Sequence, residues 1–252
     1  MAGDDLEAYC VYRIFEPEPP KSHRFDRHYL LYSAKGAMRL EAEDRVWTLP
    51  PSRAAWIPAD TPIVVGIARP VTCCSVLFHR RFIDAPVSAC KVFPVTPVAR
   101  EMIQHTRRWG PDSGPLDPYA LSFFKALAFA CTELGSHPSN TWIPKGKSGA
   151  VVRALDVTQS RLGEKLGFAE VADAARLSER SLARRFSEET GMTWREVQRR
   201  MRMIRALELL SNGGEPVLSV ALAVGYESLS AFNRAFQDFA GCTPTAFRKL
   251  YA

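Results

Sequence analysis

The chain has 252 residues, of which 46% are hydrophobic and 24% are charged. This length allows two modest domains, and the composition is that of a globular protein rather than a disordered or fibrous one. The longest apolar runs, such as Ala126 to Cys131, fall far short of the roughly 20 residues that cross a bilayer. The acidic segment Met1 to Glu7 lacks the basic start and apolar run of a signal peptide, so we expect a cytoplasmic protein.

The net charge of +6 is spread along the chain and does not form a basic tail. Residues 151–252 hold 15 lysines and arginines against 12 acidic residues. Any affinity for nucleic acid must therefore depend on where the arginines lie rather than on bulk charge.

The six cysteines have no zinc-site spacing and no Cys-x-x-Cys pair. We expect them to be reduced, small hydrophobic residues in the core. A sensing role for the adjacent Cys73 and Cys74 is the weaker alternative, because neighbouring residues of a strand point to opposite faces.

The first part of the chain is predicted to form short strands. Apolar or alternating runs are separated by turn residues such as Gly36 and Pro50-Pro51, and the region closes at Pro94 and Pro97. Such closely spaced strands favour a small antiparallel barrel or sandwich. The runs are Tyr29–Tyr32, Met38–Glu41, Val46–Leu49, Ala54–Ile57, Ile63–Ile67 and Val71–Phe78.

The pattern becomes helical from about Val98, and Leu121 to Leu134 has clear helical spacing. Gly135 to Gly149 has no periodicity and is predicted to link two domains. Everything from Val151 onward is predicted to be helical. The predicted segments are Val151 to about Leu166, Ala169 to about Ala175, Ser178 (N-cap) to Gly191, Thr193 (capping box with Glu196) to Asn212-Gly213-Gly214, Val217–Val224, Ser228–Ala240 and Pro244–Leu250.

A helix-turn-helix pattern occurs twice in this helical region. Each copy has an alanine, a turn four residues later, two apolar anchors at i and i+4, and an arginine two residues before the second anchor. The anchors fix one face of the second helix and leave its other face free to enter a DNA groove. The copies are Ala172, Arg176, Leu177, Ser178, Leu182, Arg184, Phe186 and Ala221, Gly225, Tyr226, Glu227, Phe232, Arg234, Phe236.

The stretch from Arg202 to Pro244 resembles the signature of the AraC/XylS family of bacterial transcription regulators, with Val220-Ala221, Gly225-Tyr226 and Gly241-Cys242-Thr243-Pro244 in order and spacing. The resemblance extends upstream through Ser178–Phe186. Leu49–Pro58 is similar to the cupin-like effector domain of many members. The resemblance implies an α+β chain: a cupin-like antiparallel β-barrel for effector binding or dimerisation (1–95), a helical connection and linker (96–150), and an all-α DNA-binding domain with two helix-turn-helix units (151–252).

Two positions depart from the family pattern. Arg176 stands where the first turn usually has glycine, so we expect that turn to be tight or strained. Ile63 stands where relatives with this N-terminal half often carry a histidine, which weakens an inherited metal site. We therefore assign no metal and no cofactor, and leave open whether His23, His28 and His79 bind a metal.

The candidate DNA-reading side chains lie on the second helix of each unit. Arginine can donate a two-pronged hydrogen bond to guanine, serine and asparagine can address bases or phosphates, and alanine can contact a thymine methyl. The first helix offers Arg180, Ser181, Ala183, Arg184 and Arg185; the second offers Ser230, Ala231, Asn233 and Arg234.

The alternative for the first helix is a solvated basic face that pairs internally with Glu179, Glu188 and Glu189. The arginines of the connecting helix are either phosphate contacts or a solvated face, and the sequence favours neither. They are Arg195, Arg199, Arg200, Arg202 and Arg205.

The barrel is expected to enclose a small organic ligand, with Tyr29, Arg39 and Trp56 as weak candidates for its pocket. The leading interpretation is a sequence-specific transcription regulator, not an enzyme, that binds double-stranded promoter DNA. RNA polymerase is an expected partner, and a small effector and a homodimer are left open. The alternatives are a cupin-type enzyme, which would need a metal or catalytic cluster, and an architectural protein that binds DNA without sequence preference.

Overall fold

The computed structural model describes residues 6–211 and 214–249. The predicted helix stop at Asn212-Gly213 and the predicted helix end at Leu250 lie outside these ranges. The chain divides into two compact units. One comprises Met1–Glu43 and Trp47–Trp142, and the other comprises Asp44–Val46 and Ile143–Ala252.

The first unit contains two antiparallel sheets. One has the strand order β1-β8-β3-β6-β9, and the other contains β5-β4-β7-β2. The strands are β1 Ala8–Phe15, β2 Glu18–His23, β3 His28–Lys35, β4 Met38–Ala42, β5 Arg45–Leu49, β6 Arg53–Ile57, β7 Ile63–Ile67, β8 Val71–Phe78 and β9 Lys91–Pro94. All six strand runs expected from the sequence are present.

The described strands form two separate sheets rather than one closed barrel, so the cupin-like region is a pair of sheets. The two sheets share an apolar core to which Tyr29 and Leu31 of β3 and Leu40 of β4 contribute. The next residues of β3, Leu30 and Tyr32, face a different core that includes helical residues. Both faces of β3 are therefore covered, which explains why it is buried from residue 28 to residue 33.

Four strands were missed from the sequence, and each lacks a clear alternating pattern. β2 carries Pro19-Pro20 and is mostly exposed, as expected for a strand at the edge of its sheet. β1 is the edge of the other sheet and pairs with β8 from Ala8↔Phe78 to Phe15↔Val71. β9 pairs with β6 at the opposite edge of that sheet. The fourth, β10 (Trp142–Pro144), lies inside the predicted linker.

Two helices cover the outer face of the first sheet. They are α1, Pro97–His105, and α2, Pro118–Ser136. Each begins with proline in its first turn after a side-chain cap, supplied by Thr96 and Asp117. Phe124 of α2 packs against Phe78 of β8 with ring centres 6.0 Å apart.

The second unit is built from seven helices among its described residues: α3 Gly149–Ser160, α4 Phe168–Ala175, α5 Glu179–Thr190, α6 Trp194–Ser211, α7 Val217–Ala223, α8 Leu229–Ala240 and α9 Pro244–Lys249. The prediction for α3 was wrong at its end, which falls at Ser160 rather than near Leu166. Residues 161–164 form turns instead, and Arg202 donates to the carbonyl oxygens of Leu162 and Glu164.

This unit has two apolar cores that meet along α6. Val197 and Met201 belong to the core of the first helix-turn-helix, with Leu182 and Phe186. Met203 and later residues of α6 belong to the core of the second, with Phe232 and Phe236. The helix α6 thus contributes to both helix-turn-helix units: its first half lies in one core and its second half in the other.

Candidate nucleic-acid interface

The first helix-turn-helix consists of α4, a three-residue turn and α5. The turn is closed by Arg176, whose amide donates to the Asp173 carbonyl (2.9 Å), and by Leu177, whose amide donates to the Ala172 carbonyl (3.0 Å). Arg176 has φ 59° and ψ 43°, which is the left-handed conformation that glycine normally supplies. The expected strain at this position is therefore present in the backbone.

The orientation of α5 is fixed at its start and along one face. The Ser178 hydroxyl accepts a hydrogen bond from the Ser181 amide (3.3 Å), as predicted for an N-cap. Leu182 and Phe186 are fully buried. The opposite face is left to solvent, which is the arrangement a groove-reading helix requires.

The candidate residues of α5 lie on this outer face with different accessibility. Arg180, Ala183 and Arg184 are exposed, whereas Ser181 and Arg185 are half-buried. The Ser181 hydroxyl accepts a hydrogen bond from the Ser178 hydroxyl (2.9 Å), so its oxygen already takes part in the cap.

The acidic residues near α5 have separate roles. Glu188 pairs with Arg184 at 3.2 Å, so this part of the solvated-face interpretation is present in the structure. Glu189 instead accepts the backbone amides of Lys147 and Ser148 at 2.7 and 2.8 Å, at the start of α3. Burial acts to raise the pKa of Glu189, but these hydrogen bonds and the charge of Arg185 bring it below its usual value.

The second helix-turn-helix repeats this geometry with glycine in the turn. The Gly225 amide donates to the Leu222 carbonyl (2.9 Å), the Tyr226 amide donates to the Ala221 carbonyl (2.9 Å), and Gly225 has φ 80°. Phe232 and Phe236 anchor the buried face of α8. The candidate residues Ser230, Ala231, Asn233 and Arg234 are all exposed.

A cleft of about 560 Å³ lies beside α8 within this unit. Asp238 pairs with Arg199 of α6 across 3.3 Å at this cleft. The cleft is lined by Arg199, Tyr226, Ala231, Arg234, Ala235 and Asp238.

Arg202 on α6 fits neither interpretation offered for the arginines of this helix. Its guanidinium donates to the Leu162 carbonyl (3.2 Å) and the Glu164 carbonyl (3.1 Å), and burial lowers its pKa. Arg205 pairs with Glu208 on its own helix at 2.9 Å. No local sequence pattern singles out Arg202, because its two carbonyl partners lie 40 and 38 residues away along the chain.

The three ligand-pocket candidates of the first unit are not brought together. Tyr29 is in the core between the two sheets, and burial raises the pKa of its hydroxyl. Trp56 is in the core under the helices, 5.3 Å from the Phe78 ring. Arg39 is exposed and pairs with Glu41 at 3.0 Å.

The histidines of the first unit do not assemble with other ligands. Within the described ranges, no three histidine, cysteine or acidic side chains are grouped closely enough to hold a metal ion. Ile63 is buried in β7, where the family pattern has a histidine. None of the helices in those ranges is both long enough and apolar enough to span a membrane.

Two helices with an exposed outer face, each held by a turn and a pair of buried apolar anchors and joined by one shared helix, define the DNA-binding module of a transcription regulator. A Helix-turn-helix domain family matches residues 171–250. The chain is 25% identical over 244 residues to the transcriptional regulator NimR of Escherichia coli K12, covering 94% of this chain and 85% of that protein.

Other similar proteins match over less of their length. A putative AraC-like transcription regulator of Streptomyces lividans is 31% identical over 117 residues, which is 46% of this chain and 38% of the relative. The solved C-terminal domain of the response regulator AraT from Geobacillus stearothermophilus is 29% identical and covers 40% of this chain and 85% of its own, with a TM-score of 0.39. The chain thus carries an AraC-type helix-turn-helix domain at residues 171–250. Its relatives act by regulating transcription rather than as enzymes.

Proposed function

We propose that α5 and α8 read two successive major grooves of a promoter, and that α5 carries most of the base recognition. The observation that carries this proposal is the outer face of α5, where Arg180 and Arg184 are exposed one helical turn apart and opposite the buried anchors Leu182 and Phe186. Each arginine can donate two hydrogen bonds to one guanine.

The remaining candidates have supporting roles in this proposal. Ala183 contacts a thymine methyl, and Ser181 and Arg185 contact phosphates from their half-buried positions. On α8, Arg234 is the anchor, while Ser230, Ala231 and Asn233 contact bases or backbone. Because α8 has a single basic candidate, its share of the affinity is smaller.

The test is a selection of genomic fragments by the purified full-length protein at physiological salt, followed by sequencing of the bound DNA. We expect a motif of two blocks whose centres are about 10 base pairs apart, one helical turn of DNA. Equal retention of all fragments, with a steep salt dependence, would instead identify an architectural DNA-binding protein.

We further propose that the N-terminal region, residues 1–95, binds a small effector, that residues 96–150 connect it to the reading domain at 151–252, and that the protein works in the cytoplasm. Two buried donors support an effector site: the Tyr32 hydroxyl and the Trp56 indole N–H have no hydrogen-bond partner among the described residues. Both belong to the same core. An acceptor atom of a bound molecule would remove the cost of leaving such groups unpaired.

This effector proposal is tested by measuring the melting temperature of the protein with the substrates of the enzymes that are encoded next to the selected DNA. A compound that raises the melting temperature of the wild type should raise that of Tyr32→Phe less, because the variant lacks the hydroxyl donor. An equal rise in both proteins would exclude Tyr32 from the site.

A second copy of the chain is the proposed partner of the exposed face of α2. Phe129 is 75% exposed and has Lys125 one turn before it and Glu133 one turn after it, both exposed. Two such helices packed antiparallel would bring the phenylalanines together and place each lysine opposite a glutamate, which suits a two-fold dimer. Sedimentation should show a dimer that Phe129→Lys converts to a monomer; a monomeric wild type would contradict this.

RNA polymerase is the further partner that the regulator class implies.

A further inference from the structure

Two short backbone segments of the second unit touch each other away from α6. One is residues 162–165, between α3 and α4, and the other is residues 223–227, the turn between α7 and α8. A Cβ atom at Gly163 would lie 3.0 Å from the Ala223 carbonyl oxygen, and one at Gly225 would lie 2.7 Å from the Leu162 carbonyl oxygen. The two backbones are therefore in direct contact, with little room for a side chain at Gly163 and none at Gly225.

Arg202 of α6 holds this contact from one side. Its two hydrogen bonds go to carbonyls of the first segment, Leu162 and Glu164, while its guanidinium carbon lies 6.0 Å from the ring centre of Tyr226 in the second. Its Nη2 atom is also 2.8 Å from the position of a Gly225 Cβ. Partial burial lowers the pKa of Arg202 and raises the pKa of Tyr226.

The edge of the contact carries an exposed ion pair between Lys165 and Glu227 at 2.5 Å. Both side chains are largely in solvent, so this pair adds little. The main restraint is the backbone approach at the two glycines together with the guanidinium of Arg202.

This contact matters because α6 is otherwise a single connection between two separate cores. Met201 lies in the first core and Met203 in the second. A single helix fixes the separation of the two units, but gentle bending or local unwinding changes their relative rotation. A second contact point, away from the helix axis, removes that freedom.

We propose that residues 162–165, residues 223–227 and Arg202 form a lock that fixes the rotation of α8 relative to α5, so that the protein accepts only one spacing between the two DNA blocks. Arg202, Gly163 and Gly225 are positioning residues in this proposal, because they set the geometry of the reading helices. The proposal rests on the two-groove function given above and adds its spacing rule.

The expected effect follows from the geometry of DNA. Inserting two base pairs between the blocks turns the second block by about 70° at about 10.5 base pairs per turn. Two helix-turn-helix units held rigidly then cannot bind both blocks at once. The wild type should therefore lose about 100-fold in affinity, which is the advantage that binding both blocks together gives over binding one. A pair with a loosened lock should lose only about tenfold, because it can rotate to follow the second block.

The experiment compares the full-length wild type with Arg202→Met and Gly163→Ala. Arg202→Met removes the two hydrogen bonds, and Gly163→Ala inserts a methyl group against the Ala223 carbonyl. Arg205→Met is the matched control. It removes an arginine from the same helix, but this arginine pairs with Glu208 and not with residues 162–165. Each protein is bound to sites with zero, one, two and three inserted base pairs, and its melting temperature is recorded.

A second measurement does not need DNA. Spin labels are attached to ketone-bearing amino acids placed at Ser187 of α5 and Gln237 of α8, which are both exposed, and the distribution of label distances is measured. We expect a narrow distribution for the wild type and Arg205→Met, and a clearly broader or displaced one for Arg202→Met and Gly163→Ala.

The two readouts separate the possible failures. If Arg202→Met and Gly163→Ala keep both the wild-type distance distribution and the wild-type spacing penalty, the lock is wrong. If no protein selects two blocks, the two-groove function fails, and the distance distributions still decide whether the lock holds α5 and α8. A broader distribution together with a smaller spacing penalty, at an unchanged melting temperature, supports the full proposal.

Discussion

The two helix-turn-helix units share one scaffold and differ in the residues they present. Residues 50 positions apart correspond in the two units: the buried anchors Leu182 and Phe186 correspond to Phe232 and Phe236, and the helix-ending Gly191 corresponds to Gly241. The exposed pairs Arg184 and Arg234, and Glu188 and Asp238, also keep their charge. The exposed positions next to them change instead, because Arg180 corresponds to Ser230 and Ala183 to Asn233. The comparison indicates that packing fixes the shared scaffold, and in the proposed function the differing exposed residues set how each unit reads DNA.

The turns differ for a reason that lies outside the turns themselves. Arg176 and Gly225 have the same left-handed backbone and make equivalent hydrogen bonds. The Arg176 side chain extends into solvent, whereas Gly225 faces the Leu162 carbonyl and the guanidinium of Arg202. The first turn tolerates a side chain at the cost of strain, and the second does not have the space.

The largest expected effect is a loss of stability confined to one of the two helix-turn-helix cores. Phe236→Ala should cost about 3–5 kcal/mol, the usual cost of removing a buried aromatic ring. Phe236 packs between Phe232 and Phe247, with ring centres 5.7 and 5.6 Å away. Hydrogen exchange should show that α7 to α9 lose protection while α4 and α5 keep theirs. Equal loss in both units would mean that they unfold as one, and the comparison of two separate cores would fail.

The next effect tests the turns by exchanging their residues. Gly225→Ala should destabilise the protein by at least about 1–2 kcal/mol, because alanine in this conformation is strained and its Cβ also meets the Leu162 carbonyl oxygen. Arg176→Gly should stabilise it by up to about 1 kcal/mol, since the relief of strain exceeds the entropy cost of glycine. Denaturant midpoints of both variants measure the difference. A loss of stability in Arg176→Gly would show that the arginine side chain makes a compensating contact.

A third test concerns the exposed faces. Arg184→Ala should cost about 1–3 kcal/mol on the selected site and relax the preference at one base position. Arg234→Ala should weaken binding more uniformly across sequences and reduce the salt slope by about 1, as expected for a phosphate contact. Binding titrations on matched and single-substitution sites distinguish the two. If Arg184→Ala lost the same affinity on random DNA, α5 would have no base-reading role at this position.

The reading units could be predicted from the sequence because their signals are local. Anchors at i and i+4, a capping serine and a glycine or its replacement at the turn all lie within 15 residues. Ser178 and Thr193 cap their helices as expected, and Ser228, predicted only as the start of a helix, caps α8. The early end of α3 and the role of Arg202 could not be predicted in this way. Arg202 meets Leu162 from 40 residues away, a contact that leaves no periodic pattern.

The first unit shows the same limit. Its central strands were predicted from their apolar runs, but the edge strands β1 and β2 were not, because both carry exposed residues and β2 also carries two prolines. The candidates Tyr29 and Trp56 were chosen for residue type alone. Tyr29 and Trp56 are buried on opposite faces of one sheet. The sequence does not show which face the helices cover, so this separation could not be predicted.

The smallest predicted effect is a pH dependence of the first helix-turn-helix at Glu189, a position whose counterpart in the second is Phe239. Glu189 ties the end of α5 to the start of α3 through the amides of Lys147 and Ser148, and its pKa in the folded protein lies below the ordinary value of 4.5. A carboxylate with a lowered folded pKa contributes stability above the ordinary value and loses it as the pH falls through the folded value. Glu189→Gln should therefore cost about 1 kcal/mol near neutral pH, the usual worth of such a cap, and nothing in acid. Denaturant midpoints at about pH 7 and about pH 3 measure this change, with Glu188→Gln as the control, because its exposed pair with Arg184 contributes little. A gap between wild type and Glu189→Gln that stays constant with pH would show that the ionised carboxylate is not what holds α3 to α5.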